Sequence, residues 1–205
     1  MPGIAFAVPG CKGVRVKLLL IGPPGSGMGT QGERLAQHFG IEHIAAGDLL
    51  RAEVKAQTPL GQQAERIMQR GDLVPDEIII ELILPRVLAA AEDRGYVLDG
   101  FPRSVPQALE ARKLAEQEGS ASQAAIYLDV PRDELMRRIL GRAAAEGRAD
   151  DNEETVANRL RVFDEATEPL VDFYRGRGLL HVIDAAQPEQ AVTSDILEAV
   201  GAGES

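Results

Sequence analysis

The sequence predicts an α/β fold on a doubly wound parallel five-stranded sheet, and three observations carry that reading. Short apolar runs alternate along the chain with amphipathic stretches of helical period. A glycine-rich turn, Gly22-Pro23-Pro24-Gly25-Ser26-Gly27-Met28-Gly29-Thr30, joins the first apolar run to the first amphipathic stretch. No internal repeat and no low-complexity linker divides the 205 residues. Strands that feed helices in this way form a parallel sheet covered on both faces, with ligands bound beyond the strands' carboxyl ends.

Taken in order, the first strand is Val16–Ile21, apolar apart from Lys17, as expected of a strand buried on both faces. The glycine turn follows, and Thr30–Phe39 reads as the first helix. Glu42–Ile44 is a short second strand, with helices at Asp48–Lys55, Gly61–Arg70 and Pro75–Glu92. Pro85 falls inside the last of these and predicts a kink or break, because proline has no N–H and its ring crowds the preceding turn. Tyr96–Leu98, Ala124–Val130 and Leu179–Ile183 complete the strands, and helices are read at Pro106–Glu118, Arg132–Gly141, Glu153–Tyr174 and Glu189–Val200. Two insertions stand out. Gly47 to about Ile83 is large enough for a movable helical subdomain, and Arg142–Asp151 is a short connection rich in Ala and edged by arginines and aspartates.

Length and apolar content suit one domain with small insertions. A formal charge of −10 without a dense Lys/Arg block argues against nucleic-acid binding through a basic face. A site for polyanions in such a chain must gather its positive charge locally, which makes arginine positions informative. Cys11 is the single cysteine, so neither an intrachain disulfide nor a cysteine metal site is available, and a reducing, cytoplasmic compartment fits. His38, His43 and His181 show no ligand spacing and are read as structural or exposed. No apolar run approaches the roughly 20 residues of a membrane span, so no membrane partner is expected. Residues 1–13 hold a short apolar patch interrupted by Pro9 with no basic start, and read as a disordered extension.

The glycine turn is a phosphate-binding loop with its charge removed. Its glycines let successive backbone N–H groups face an anion, and the following helix adds a partial positive charge. Met28 stands where such a loop carries lysine; its thioether has similar length and no charge. Asp99-Gly100-Phe101-Pro102-Arg103 follows a strand, which places Asp99 at the sheet's carboxyl edge beside the loop. A carboxylate there can hold Mg²⁺ through water, while Arg103 offers a five-donor fork to phosphate. Arg138 and Arg142 lie one helical turn apart where the short connection begins; Arg148, Asp150 and Asp151 close it, and Arg159 follows in the next helix. Arginines spread in this way suit phosphoryl transfer, which relies on positioning and charge stabilisation more than on a catalytic base.

These motifs occur together in the order seen in adenylate kinases. Gly22–Thr30 with Gln31, Gly47-Asp48-Leu49-Leu50-Arg51, Asp99–Arg103 with Gln107, and Gly147-Arg148-Ala149-Asp150-Asp151 make the chain resemble that nucleoside monophosphate kinase family from about Val16 to Val200. Gly29 before Thr30 is normal for the family, so Met28 is the loop's departure from it. The resemblance implies a P-loop NTPase-type monomer with a core (14–45, 75–141, 152–200), a monophosphate-binding insertion (46–74) and a short lid (142–151) that leaves no place for structural zinc. It implies ATP, with Mg²⁺, held by Gly25, Ser26, Gly27, Met28, Gly29 and Thr30 with Arg138 and Arg142. Arg51 and Arg103, with Gly100, would grip AMP's phosphate, and Gln107 would read its adenine. Ala46, Leu73, Val74 and Leu50 would flank the acceptor base, although core packing explains the last three equally well. Arg103, Arg138, Arg142, Arg148 and Arg159 would surround the phosphates during transfer while Asp150 and Asp151 help the lid to close. The implied activity is ATP plus AMP to two ADP, slowed by Met28. Two alternatives stay open: a nucleotide-binding regulator with weak turnover, and a UMP/CMP-type kinase, suggested by Ala45-Ala46 where adenylate kinases resemble Ser-Thr.

Overall fold

The computed structural model describes residues 15–146 and 153–201, leaving aside the side chains of residues 142–146 and 153. Five parallel strands, β1 (Val16–Ile21), β2 (Glu42–Ala45), β3 (Gly95–Asp99), β4 (Ala124–Asp129) and β5 (Leu180–Asp184), lie in the order β2-β3-β1-β4-β5. The chain winds to one side of β1 for β2 and β3 and to the other for β4 and β5. The switch point therefore opens at the carboxyl end of β1. Pairing of Leu20 with Asp99 sets the end of β3 beside the glycine loop that leaves β1.

The apolar run of β1 is continuous because both its faces are buried. Leu18 and Leu20 enter one cluster with Leu35, Ile126, Ile139 and Ile196, whereas Leu19 and Ile21 enter the other with Ile44, Ile83, Leu98 and Leu170. Each such leucine or isoleucine contributes about 1.5–3 kcal/mol through burial. Lys17 sits at the strand's other end, where its ammonium donates to the Gly119 carbonyl at 2.6 Å.

The helices are α1 (Met28–Phe39), α2 (Ala46–Lys55), α3 (Pro59–Arg70), α4 (Asp76–Asp93), α5 (Val105–Gln117), α6 (Arg132–Glu146), α7 (Glu153–Val162), α8 (Pro169–Arg175) and α9 (Glu189–Ala199). α1 begins two residues before its expected start, so Met28 is its first residue, entered from a left-handed Gly27 at φ 96°. α4 is not broken at Pro85: Ile79, Ile83, Val87, Ala90 and Ala91 are all buried, and packing on both sides of the proline holds the helix together. α6 runs five residues past Gly141, to Glu146. The single helix expected over Glu153–Tyr174 is instead two helices joined by a π-helical turn, Phe163–Thr167. Glu168 donates to the Phe163 carbonyl at 2.9 Å, and Pro169 has no N–H with which to continue the narrower ladder.

α2 and α3 form a helical hairpin whose crossing depends on Gly61. A Cβ there would lie 2.1 Å from the carbonyl oxygen of Glu53, a backbone atom that cannot swing aside. The far end of α3 is tied to α7, where Thr155 donates to the Gln69 carbonyl at 3.1 Å and Asn158 to that of Arg70 at 2.6 Å. Gly61→Ala is expected to separate the hairpin and cost about 2 kcal/mol or more, read as a lower midpoint in urea unfolding.

Candidate active site

The loop between β1 and α1 is shaped by Gly25 and Gly27, both left-handed at φ 87° and 96°, and by Ser26 donating its N–H to the Pro23 carbonyl at 3.0 Å. A Cβ on Gly25 would lie 2.8 Å from Ile139 and 3.1 Å from the Leu135 carbonyl oxygen, so α6 rests directly on the loop. Cβ atoms on Gly27 and Gly29 would meet nothing within 4 Å. The loop is thus wedged on one side and open on the other. Ser26 is 2% exposed and its Oγ has no hydrogen-bond partner among the described residues.

A cleft of about 860 Å³ opens from this loop. Gly25–Thr30 line it from the loop, Asp99, Gly100 and Arg103 from the end of β3 and the turn after it, Asp48 and Arg51 from α2, and Glu134, Arg137 and Arg138 from α6. Five arginines line it among the described residues, with Arg159 the fifth. Five carboxylates among the same residues, Glu33, Asp48, Asp99, Glu134 and Glu189, share the lining, so the arginines are gathered here with acidic partners beside them. At the cleft's floor Asp99 is buried, and its Oδ2 lies 2.7 Å from His43 Nε2. Burial alone would depress the imidazole's pKa, but the hydrogen bond and charge of Asp99, with Glu33 and Asp48 adding theirs, outweigh it and hold the pKa above its ordinary value.

A smaller cavity of about 60 Å³ adjoins the cleft and shares Met28, Gly100, Arg103 and Arg159 with it. Gly71 and Leu73 line it from the insertion side, Phe163 and Thr167 from the π-helical turn. Met28 packs here against the apolar cluster on its face of the sheet as well as bordering the cleft. Arg103 is held from three directions: its Nε donates to the Gly100 carbonyl at 2.8 Å, its N–H to Gln107 Oε1 at 2.7 Å, and its carbonyl accepts from Thr167 Oγ1 at 2.7 Å.

A phosphate loop and an arginine-lined wall sharing a switch-point cleft point to nucleotide phosphotransferases, and sequence comparison decides which. The adenylate kinase family model matches residues 20–179. An adenylate kinase of Leptospira biflexa serovar Patoc is 42% identical over 184 residues, covering 90% of this chain and 99% of the relative. Adenylate kinases of Xanthomonas campestris pv. campestris and Xanthomonas oryzae pv. oryzae are each 46% identical over 186 residues, covering 91% of this chain and all of the relative. The chain belongs to the adenylate kinase family.

Within this adenylate kinase fold, the cleft brings together Gly25, Ser26, Gly27, Met28, Gly29, Thr30, Arg51, Asp99, Gly100, Arg103, Arg138 and Arg159 from the sequence reading. Leu73 lines the adjoining cavity, whereas Ala46, Leu50 and Val74 are buried in the apolar cluster that holds Leu19 and Ile21. Gln107 is 3% exposed and lines neither space; beyond its bond to Arg103 N–H, its Nε2 donates to Asp76 at 2.7 Å. Arg142 lies in α6 but its side chain is outside the described residues, as are Arg148, Asp150, Asp151 and the extension 1–13. Among the described residues no group of three or more His, Cys, Asp or Glu side chains could hold a metal ion, and no helix is long and apolar enough to cross a membrane.

Sequence reasoning missed His43, Asp76, Thr167 and Arg137. His43 was read as one of three scattered histidines; it meets Asp99 only because β2 pairs with β3 in a register that sets Ala45 opposite Asp99. Thr167 reaches Arg103 only through the π-helical turn. Neither feature leaves a periodic signal. Room for the imidazole comes from Gly32 in α1, where a Cβ would lie 2.3 Å from His43 Nε2. Gly32→Ala is expected to drive His43 off Asp99. Because folded His43 binds its proton more tightly than the unfolded chain, the pairing stabilises fully below the ordinary pKa of 6.5 and is lost as pH rises through the raised value. The substitution should return the His43 titration, followed by NMR, to an ordinary or lower pKa and flatten that pH dependence of stability.

Proposed function

We propose that this adenylate kinase family member transfers the terminal phosphoryl group of ATP to AMP within the cleft, and that Met28 slows the step. The observation that carries the reading is that the phosphate loop, Arg51 and Arg103 all line a single cleft. In the transfer the bond between the γ-phosphorus and its bridging oxygen breaks, a new bond forms to an oxygen of AMP's phosphate, and two ADP result. The attacking oxygen is already anionic, so no side chain need remove a proton from it. Catalysis then rests on alignment and on cations placed around the moving charge.

Loop N–H groups and the start of α1 hold the donor phosphates, and Arg51 and Arg103 fix the acceptor phosphate. Arg138 contacts the donor, while Arg142, Arg148 and Arg159 complete the charge around the transferred group. The insertion (46–74) carries the acceptor and the short segment 142–151 closes over the donor, with Asp150 and Asp151 aiding closure and the remainder of 14–200 forming the core. Asp99 and the Thr30 hydroxyl offer oxygen donors on the loop side of the cleft, a set that suits a hard dication, with Asp99 acting through water. Mg²⁺ bound with ATP would be held there by Asp99 through water and by Thr30, and would supply charge neutralisation to the donor phosphates. The lone cysteine fits a reducing, cytoplasmic setting.

The acceptor base is adenine on the strength of Gln107. Its oxygen accepts from Arg103 and its nitrogen donates to Asp76, leaving one lone pair and one N–H, which adenine reaches only when binding uncovers the amide, since the side chain is buried and lines neither space. A specific observation favours a pyrimidine instead: Ala46 has no hydroxyl and is buried, with its Cβ 3.4 Å from where a Gly100 Cβ would lie. Comparing AMP, UMP and CMP at saturating ATP tests the choice. AMP is expected to give the highest kcat/KM, and a preference for UMP or CMP would replace adenine as the acceptor base.

Met28→Lys is expected to raise turnover of ATP plus AMP by about 10²-fold or more, while AMP affinity stays within about twofold. Coupled kinetics on both forms, with binding recorded in parallel, checks this. Nucleotide binding without turnover in either form would make the protein a nucleotide sensor and end the enzymatic reading of the cleft.

A further inference from the structure

Loss of the loop lysine leaves the donor phosphates one cation short, and α6 carries a cation that the family motifs do not assign. Arg51 is balanced by Asp48 on its own helix. Arg137 and Arg138, by contrast, share one carboxylate. Arg137 places Nε at 2.8 Å and Nη2 at 2.6 Å from Glu134, and Arg138 places Nε at 2.6 Å from the same group. The hydrogen bonds from Arg137 and then Arg138 hold Glu134 below the usual carboxylate range, so it is charged. Two guanidinium charges against one carboxylate leave a surplus of one.

The two arginines are not equivalent. The side chain of Arg138 is 28% exposed and that of Arg137 is 74% exposed, so although Arg137 makes more of the hydrogen bonds to Glu134, its guanidinium is the one whose head stands in water. Both come from the helical turn that rests on Gly25 through Leu135 and Ile139, and both line the cleft together with the phosphate loop. We propose that Arg137 supplies to the donor triphosphate the positive charge that Met28 does not, as an ATP-binding residue of this chain. This rests on the reading of the cleft as an ATP site.

Arg137 can make the exchange at little cost. An exposed pair three residues apart on a helix adds little to stability, and Glu134 keeps Arg138 as its partner when Arg137 turns to phosphate. The triphosphate carries more negative charge than one carboxylate and offers several oxygens to the guanidinium fork. Glu134 serves as a positioning residue that keeps the fork at the cleft's edge until phosphate arrives.

A double-mutant cycle read by calorimetric ATP binding with Mg²⁺ tests the proposal. The chains compared are the unaltered protein, Arg137→Gln, Met28→Lys and the double variant. Arg137→Gln is expected to weaken ATP about 10-fold when Met28 is present and about threefold or less when lysine replaces it, with AMP affinity within about twofold throughout. Arg137→Lys, which keeps the charge and loses the fork, should retain most of the ATP affinity. Equal losses in both backgrounds, or no loss in either, would overturn the assignment. Because the readout is binding, a chain that holds ATP without transferring it refutes the proposed activity and leaves this comparison intact. Failure of all four chains to bind ATP removes both.

Discussion

Everything in this molecule hangs on β1 being buried on both faces. Leu18 and Leu20 face one apolar cluster and Leu19 and Ile21 the other, so the central strand cannot shift or rotate without exposing one set. Its carboxyl end is therefore fixed, and the loop that follows inherits that fixity. α6 then clamps the loop from one side at Gly25, which leaves the open side as the place where an anion can be received. The strand order puts β3 next to β1, and the pairing of Leu20 with Asp99 brings a carboxylate and, four residues on, Arg103 to the same edge.

Charge is the second constraint. A protein of formal charge −10 repels polyanions at long range, yet five arginines converge on one cleft among the described residues. Four of them have partners before a nucleotide arrives: Arg51 has Asp48, Arg137 and Arg138 share Glu134, and Arg103 donates to the Gly100 carbonyl. Such partners restrict the guanidinium groups to a few orientations at the cleft's lining. Preorganisation of this kind lowers the reorganisation that binding and transfer would otherwise require.

The segment that presents Arg103 shows how far the site depends on remote parts of the chain. Gln107 and Thr167 brace its backbone from α5 and from the π-helical turn, and Asp76 in turn holds Gln107. The same region meets the insertion, because α7 grips the end of α3 through Thr155 and Asn158. Hydrogen bonds thus tie the Arg103 segment to α5, to Asp76 of α4 and to the π-helical turn, and a second set ties α7 to α3.

By itself the sequence determined the alternation of strands and helices, the parallel sheet, the phosphate loop with its missing lysine, and most of the arginines that line the cleft. Those features are local: an apolar run, a glycine spacing or a motif is written in neighbouring residues. Helix limits near Pro85 and Pro169 were not determined in this way, since tertiary packing holds α4 together across its proline while Pro169 yields a π-helical turn. The His43–Asp99 pair and the bracing of Arg103 by Thr167 were decided only by the tertiary structure. These contacts span 56 and 64 residues. Strand order and packing create these contacts, and no periodicity in the chain encodes either.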